Sequence, residues 1–134
     1  MSRRVCIMIV EDERIVARDL ELRLLRLGYY VVANVGTAAA AIDAMAASRP
    51  DLVLMDIVLR GPMDGIEAAQ HIRERSGTPV LYISAHVDER TLQRARQTSP
   101  CGYLSKPFSD EELQQALDRA VRECLDREQE VGSA

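Results

Sequence analysis

The stretch "DLVLMDIVLRGPMDG", residues 51 to 65, predicts the centre of the fold and raises the main question about function. Its apolar run, Leu52 to Met55, is typical of a strand buried in a parallel sheet. The run delivers a carboxylate, Asp56, into a loop broken by glycine and proline. A charge at the end of so apolar a strand could cap a helix, bind a metal or act as a nucleophile. The stretch alone leaves these three alternatives open.

The rest of the chain repeats the same pattern, a strand followed by a helix, five times. Continuous apolar runs predict strands, and apolar residues three or four positions apart predict helices. The predicted strands are residues 5–10, 29–35, 52–55, 79–84 and 101–106. Thr37, Asp64 and Ser109 are of the types that cap helices. This alternation predicts an α/β fold: a doubly wound, five-stranded parallel sheet flanked by five helices.

Length and composition indicate a single domain. The chain has 134 residues, of which 47% are hydrophobic and 28% charged, as in an ordinary soluble globular protein. We expect one domain over residues 1–125 and a polar C-terminal tail over residues 126–134, an arrangement that suggests a stand-alone domain.

Charge and hydropathy exclude two classes of partner. The net charge is −4 and lysine and arginine do not cluster, so we expect no direct binding of nucleic acid. No apolar run is long enough to span a membrane and the N-terminus does not resemble a signal peptide. The sequence therefore predicts a cytoplasmic protein that does not enter a membrane.

The three cysteines are Cys6, Cys101 and Cys124. Their number is odd, and they are far apart with no spacing typical of zinc or redox motifs. We therefore expect reduced thiols.

Polar residues follow four of the predicted strands at the point where each strand ends. Glu11 and Asp12 follow the first strand and Asp56 the third, while Ser84 ends the fourth and Lys106 the fifth. Because parallel strands end at the same edge of a sheet, and ligands bind there, we expect these side chains to meet.

Such a group of side chains favours phosphoryl chemistry. Two carboxylates about 5 Å apart repel by roughly 3 kcal/mol at an effective dielectric near 20, which a divalent cation would relieve. All-oxygen ligands favour Mg²⁺, with Mn²⁺ as the alternative. A lysine and a serine hydroxyl can bind phosphoryl oxygens, and a carboxylate can attack phosphorus to form an aspartyl phosphate.

Four segments, "VEDE", "LVLMDIVL", "YISA" and "YLSKPF", together resemble the receiver domain of two-component response regulators. The resemblance runs over about residues 4 to 125. It implies a flavodoxin-like, chemotaxis-receiver-like sheet of strand order 2-1-3-4-5. It also implies a signalling domain rather than an enzyme, which accepts a phosphoryl group from a sensor histidine kinase or a phosphotransfer protein.

The resemblance also implies a role for each matching residue. Asp56 would be the phosphoacceptor, and the cation ligands would be Glu11, Asp12, Asp56 and the backbone carbonyl of Val58. Lys106 and Ser84 would bind the phosphoryl group, and Ser84 and Tyr103 would take part in switching. The Lys106–Pro107 peptide bond would be cis. The surface formed by the fourth helix, fifth strand and fifth helix would engage a downstream protein, or a second copy in a phosphorylation-dependent homodimer. The fourth predicted helix has few apolar residues, which favours motion.

The sequence departs from the family pattern at three points. The loop after Asp56 is one residue longer than usual and lacks the common Met-Pro pair. Serine replaces the commoner threonine at position 84, which keeps the hydroxyl. His86 stands where family members vary their rate of autodephosphorylation.

Two other functions compete with a phosphorylation switch. A Mg²⁺-dependent small-molecule phosphatase or phosphotransferase could also use Asp56 as nucleophile. Such an enzyme would typically place a second acid two residues later, where this chain has Val58. A receiver-like binding module without phosphorylation is the third alternative, and the complete set of acids, serine and lysine argues against it.

Overall fold

Five strands and five helices alternate along the chain in the structure, a computed structural model that describes residues 4–85 and 87–125. The strands are β1 (Cys6–Val10), β2 (Tyr30–Val35), β3 (Leu52–Asp56), β4 (Val80–Ser84) and β5 (Gly102–Ser105). The helices are α1 (Arg14–Arg26), α2 (Ala38–Ser48), α3 (Gly65–Ser76), α4 (Glu89–Arg96) and α5 (Asp110–Ala120), and α5 continues into a π-helical turn over Val121–Leu125. His86 and the predicted tail lie outside the described residues.

The strands form one parallel sheet in the order β2-β1-β3-β4-β5, so the predicted fold and strand order are confirmed. Strand β3 lies at the centre, and all five of its residues are buried, as are those of β4. Their continuous apolar sequences reflect a sheet covered on both faces. Asp56 pairs with Ile83 across the β3–β4 ladder, so the acidic end of β3 lies beside the end of β4.

Two hydrophobic clusters cover the two faces of the sheet. One cluster packs β1 and β3 against α2 and α3, and the other packs the same strands against α1 and α5. The three predicted caps are present: Thr37 accepts a hydrogen bond from Ala40 N, while Asp64 and Ser109 each form a capping box. These caps fix where α2, α3 and α5 begin.

Helix α4 is held less firmly than the others. Its buried residue is Ala95, while most of its remaining residues are charged or polar. Just after the helix, the buried Thr98 hydroxyl donates to the Ala95 carbonyl at 2.7 Å and also bonds to the Tyr82 hydroxyl at 2.7 Å. The C-terminal end of α4 is therefore attached to β4.

The cysteines differ from the sequence-based expectation. Cys101, just before β5, and Cys124, in the turn after α5, form a disulfide, and their Cα atoms are 6.4 Å apart. The prediction of reduced thiols is therefore wrong for this pair, whose sequence separation of 23 residues carries no recognisable spacing signal. Cys6 is a free thiol.

Among residues 4–85 and 87–125, no helix combines the length and the apolar character that crossing a membrane requires.

Candidate functional site

Three carboxylates meet at the carboxyl edge of the sheet. One side-chain oxygen from each of Glu11, Asp12 and Asp56 lies within 4.8 Å of the other two. Glu11 and Asp12 follow β1, and Asp56 ends the neighbouring strand β3. The predicted convergence of strand ends is therefore present.

Asp56 is almost fully enclosed, with 5% of its surface exposed. Its Oδ1 accepts a hydrogen bond from Val58 N at 3.0 Å, and its Oδ2 accepts one from Lys106 Nζ at 3.0 Å. Burial raises the pKa of this carboxyl, the Lys106 ammonium opposes the rise, and the Glu11 carboxylate adds to it, with a resulting pKa of about 6. Near neutral pH, Asp56 is therefore mostly a carboxylate, but one that is costly to ionise.

Lys106 joins the acids across the sheet. Its ammonium hydrogen-bonds both Glu11 Oε1 and Asp56 Oδ2, and its backbone N–H donates to the Ser84 carbonyl at 2.7 Å. Burial alone lowers the pKa of Lys106, but the carboxylates of Glu11 and Asp56 outweigh it, so the pKa is raised. The ammonium therefore stays charged between its two partners. The Lys106–Pro107 peptide bond that follows is cis.

Glu11 is the most enclosed of the three acids, with 0% of its surface exposed. Its Oε2 accepts a hydrogen bond from Glu13 N at 3.0 Å, and the Arg14 guanidinium donates to its backbone carbonyl at 2.8 Å. Its own N–H donates to the Val35 carbonyl of β2 at 3.0 Å. These contacts fix both the backbone and the carboxylate of Glu11.

Asp12 has a partner that sequence reasoning missed. The backbone N–H of Arg60 donates to Asp12 Oδ2 at 3.0 Å, and the Arg60 Nε lies 3.7 Å from the same oxygen. Arg60 belongs to the loop after Asp56 that is one residue longer than the family pattern. The extra residue was the available signal, but loop length alone does not predict which side chain reaches Asp12.

Gly65 is a second residue whose importance the sequence does not reveal, because a glycine beside the loop after Asp56 indicates only a break in regular structure. A Cβ at this first position of α3 would lie 1.9 Å from the Asp56 carbonyl oxygen. The Gly65 N–H also donates to the Ile57 carbonyl at 3.1 Å. The absence of a side chain lets α3 begin directly against the backbone of the central acid.

The remaining predicted residues lie at or near the same edge. Ser84 ends β4 and is buried, one position beyond the residue that pairs with Asp56. The Val58 side chain points largely into solvent, while its N–H faces Asp56. Tyr103 of β5 is 40% exposed, and its ring stacks on that of Tyr82 with centroids 5.9 Å apart.

The set of side chains fits a hard divalent cation. The three acids offer only oxygen atoms, the ligands preferred by Mg²⁺. Among the described residues, the two cationic side chains that contact their carboxylate groups, Lys106 and Arg60, do not balance three negative charges. A divalent cation would relieve the remaining repulsion.

Comparison with known proteins identifies the class of domain. The chain matches the family model of the response regulator receiver domain over residues 7–118. It is 35% identical over 136 residues to the transcriptional regulatory protein PdtaR of Mycobacterium tuberculosis, a match that covers 99% of this chain and 65% of PdtaR.

Solved structures show the same similarity. The signal receiver domain of a modulated diguanylate cyclase from Desulfovibrio desulfuricans is 34% identical, with a TM-score of 0.84 over 90% of this chain and 95% of that chain. The signal receiver domain of the response regulator NarL from Mycobacterium tuberculosis is 31% identical, with a TM-score of 0.76 over 89% of this chain and 98% of that chain.

The chain therefore belongs to the response regulator receiver domain family, and the resemblance found in the sequence is confirmed. It is a receiver domain of the two-component signalling type. The chain spans about two thirds of the length of PdtaR, 65%.

Proposed function

We propose that this receiver is a Mg²⁺-dependent phosphorylation switch whose phosphoacceptor is Asp56. The observation that carries the proposal is the position of the Asp56 carboxylate, held between the Lys106 ammonium and the acids that follow β1. A nucleophile, a cation for phosphoryl oxygens and a set of cation ligands then occupy one edge of the sheet.

The donor would be a phosphohistidine of a sensor histidine kinase or of a phosphotransfer protein. An Asp56 oxygen attacks phosphorus, the P–N bond to the imidazole breaks, and the imidazole nitrogen keeps the electron pair and takes up a proton. Lys106 lies 3.0 Å from Asp56 Oδ2, where it would stabilise the negative charge of the transferred group, and Ser84 would hydrogen-bond a phosphoryl oxygen.

The cation would be Mg²⁺, with Mn²⁺ as the alternative. Its ligands would be Glu11, Asp12, Asp56 and the Val58 carbonyl, and it would supply charge neutralisation for attack by one anion on another. The convergence of the three carboxylates supports this assignment, as does the pKa of Asp56, which burial and, to a lesser extent, the Glu11 carboxylate raise to about 6.

The output surface would be formed by α4, β5 and α5. Weak burial of α4 and the exposed ring of Tyr103 support a change there when Ser84 moves towards a phosphoryl group. A groove of about 570 Å³ between β5 and α5, lined in part by Tyr103, Ala116 and Arg119, offers a place for a downstream protein or a second copy in a homodimer.

This signalling domain would act in the cytoplasm and would not itself bind nucleic acid. PdtaR is named as a transcriptional regulator, but the match covers only 65% of its length. The net charge of −4 disfavours phosphate-backbone binding by this chain. Val58, exposed where a small-molecule phosphatase would need a second acid, favours the switch over that enzyme.

Phosphorylation with a small-molecule donor tests the proposal. The chain is incubated with acetyl phosphate and Mg²⁺, and intact mass and peptide mapping locate the adduct. We expect one phosphoryl group on Asp56, and none on Asp56→Ala or in the presence of EDTA. An adduct that persists in Asp56→Ala, or no adduct on the unmodified chain, would overturn the proposal.

A further inference from the structure

The loop after Asp56 brings a cationic side chain to a predicted cation ligand. Arg60 contacts Asp12 twice, through its backbone N–H at 3.0 Å and through its Nε at 3.7 Å. Both contacts fall on the same oxygen, Oδ2. The loop therefore places a positive charge where a divalent cation would also be attracted.

The two contacts of Arg60 with Asp12 differ in how easily they can be broken. The Arg60 side chain is 86% exposed, whereas that of Asp12 is 15% exposed. A solvent-exposed ion pair contributes about 0.2–1 kcal/mol, so the guanidinium can leave at little cost. The backbone N–H can stay, because one carboxylate offers several acceptor sites and can bind a cation through its other oxygen.

Arg60 differs in this respect from Lys106, which also contacts carboxylate groups of these acids. Lys106 is largely enclosed and hydrogen-bonds both Glu11 and Asp56. Its place between these two acids suits it to a phosphoryl group. Arg60 reaches Asp12 from the solvent side and has no corresponding enclosure.

We propose that Arg60 is a positioning residue that tunes cation binding at Asp12: its N–H orients the carboxylate and its guanidinium competes with the divalent cation. The competition sets the Mg²⁺ concentration at which the site fills. The inference rests on the proposed function only in taking Asp12 as a cation ligand.

The test is Mg²⁺ binding to the full chain, measured by isothermal titration calorimetry without any phosphodonor. Arg60→Gln removes the charge and keeps the backbone N–H, and Arg60→Lys keeps the charge. We expect Arg60→Gln to bind Mg²⁺ about two- to fivefold more tightly, as loss of an exposed pair predicts, and Arg60→Lys to stay near the unmodified protein.

Arg75→Gln is the matched control. Arg75 is an exposed arginine in the last turn of α3, at the other edge of the sheet from the acids. The Arg75→Gln substitution removes the same charge from the whole molecule, so the Mg²⁺ affinity of this variant reports any general effect of net charge. If Arg60→Gln and Arg75→Gln bind Mg²⁺ equally, the proposal is wrong.

Ionic strength separates competition from a structural effect. The Debye length falls from about 30 Å at 0.01 M to about 3 Å at 1 M. The difference between Arg60→Gln and the unmodified protein should shrink over this range, because the competing charge is exposed. A difference that stays constant would show a rearranged loop instead and would overturn the proposal.

The calorimetry is independent of the phosphorylation assay. Tighter Mg²⁺ binding by Arg60→Gln supports the role of Arg60 even if no adduct forms on Asp56, in which case only the proposed function fails. A phosphorylated Asp56 with unchanged Mg²⁺ affinity in Arg60→Gln refutes only the role of Arg60. A chain that binds no Mg²⁺ refutes both.

Discussion

Helices α3 and α4 occupy equivalent places in successive strand–helix units, yet they are held very differently. Each follows a strand of five buried residues, β3 or β4. Helix α3 buries five of its own residues, Gly65, Ile66, Ala68, Ala69 and Ile72, whereas α4 buries Ala95. One unit fixes Asp56, the proposed phosphoacceptor, and the next carries Ser84 into a weakly packed segment.

The difference in packing between α3 and α4 follows from their side chains rather than from the topology of the sheet. Apolar and small residues on α3 let it lie close to the sheet, and Gly65 brings its first turn onto the backbone of Asp56. Helix α4 is anchored mainly at its C-terminal end, through Ala95 and Thr98. Weakly packed elements have low opening free energies, so we expect movement in the α4 unit and not in the α3 unit.

The largest expected effect comes from disturbing the start of α3. Gly65→Ala should lower the free energy of unfolding by about 3 kcal/mol, because the added Cβ overlaps the Asp56 carbonyl, a backbone atom with no room to yield. Urea denaturation measures the change. Gly77→Ala is the control: its Cβ would meet open space, so only the strain of its positive φ, costing about 1 kcal/mol, remains. Equal losses of unfolding free energy in the two variants would show that the packing of α3 does not depend on the close approach of Gly65 to the Asp56 carbonyl.

Truncation of one apolar side chain in each helix tests the comparison directly. Ile72→Ala on α3 should cost about 3 kcal/mol, since the side chain is buried in the cluster between α3 and the sheet. Leu92→Ala on α4 should cost about 1 kcal/mol or less, because Leu92 is only partly buried. Thermal or urea unfolding measures both, and equal costs would contradict the assignment of α4 as the weakly held helix.

The well-packed unit also carries electrostatic strain, at Asp56. Asp56→Asn should raise the stability of the metal-free protein by about 2 kcal/mol above pH 7, since burial raises the pKa of Asp56 from 3.8 to about 6. The folded protein binds this proton more tightly than the unfolded chain does. The unmodified protein therefore loses stability relative to the variant as the pH rises from about 4 through 6.

Urea denaturation at a series of pH values with EDTA measures this difference. The two proteins should approach similar stability below about pH 3, where the carboxyl is protonated in both the folded and the unfolded state. If Asp56→Asn is no more stable at pH 8 than the unmodified protein, ionisation of Asp56 does not destabilise the metal-free protein.

The smallest expected effect concerns the anchor of α4. Thr98→Val leaves the buried Tyr82 hydroxyl without this partner and should cost about 1 kcal/mol. Amide hydrogen exchange should become faster in α4 and stay unchanged in α3. Thr78→Val is the control, because the Thr78 hydroxyl bonds to Ser76 at an exposed position. Faster exchange in both helices would mean that the two units open together.

Local signals in the sequence predicted most of the fold. Apolar runs identified all five strands, and the capping residues Thr37, Asp64 and Ser109 stand where the structure has caps. The convergence of Glu11, Asp12 and Asp56 also followed, because strand ends in a parallel sheet share an edge.

The features that sequence reasoning missed depend on distances that only the folded chain defines. The contact of Arg60 with Asp12 depends on the path of a loop that is one residue longer than the family pattern. The closeness of Gly65 to the Asp56 carbonyl depends on the angle at which α3 meets the sheet. The Cys101–Cys124 disulfide joins two elements that no spacing rule connects, so the prediction of thiols was wrong there.

The link from Lys106 to Glu11 and Asp56 has a consequence for synthesis of the chain. Its ammonium comes from a position 95 residues after Glu11 and 50 after Asp56. A nascent chain that ends before β5 contains all three acids but lacks the Lys106 ammonium between Glu11 and Asp56. A complete chain in which β5 has not paired with β4 also lacks this contact. If phosphoryl transfer needs that lysine, the ability to signal reports that β5 has joined the sheet.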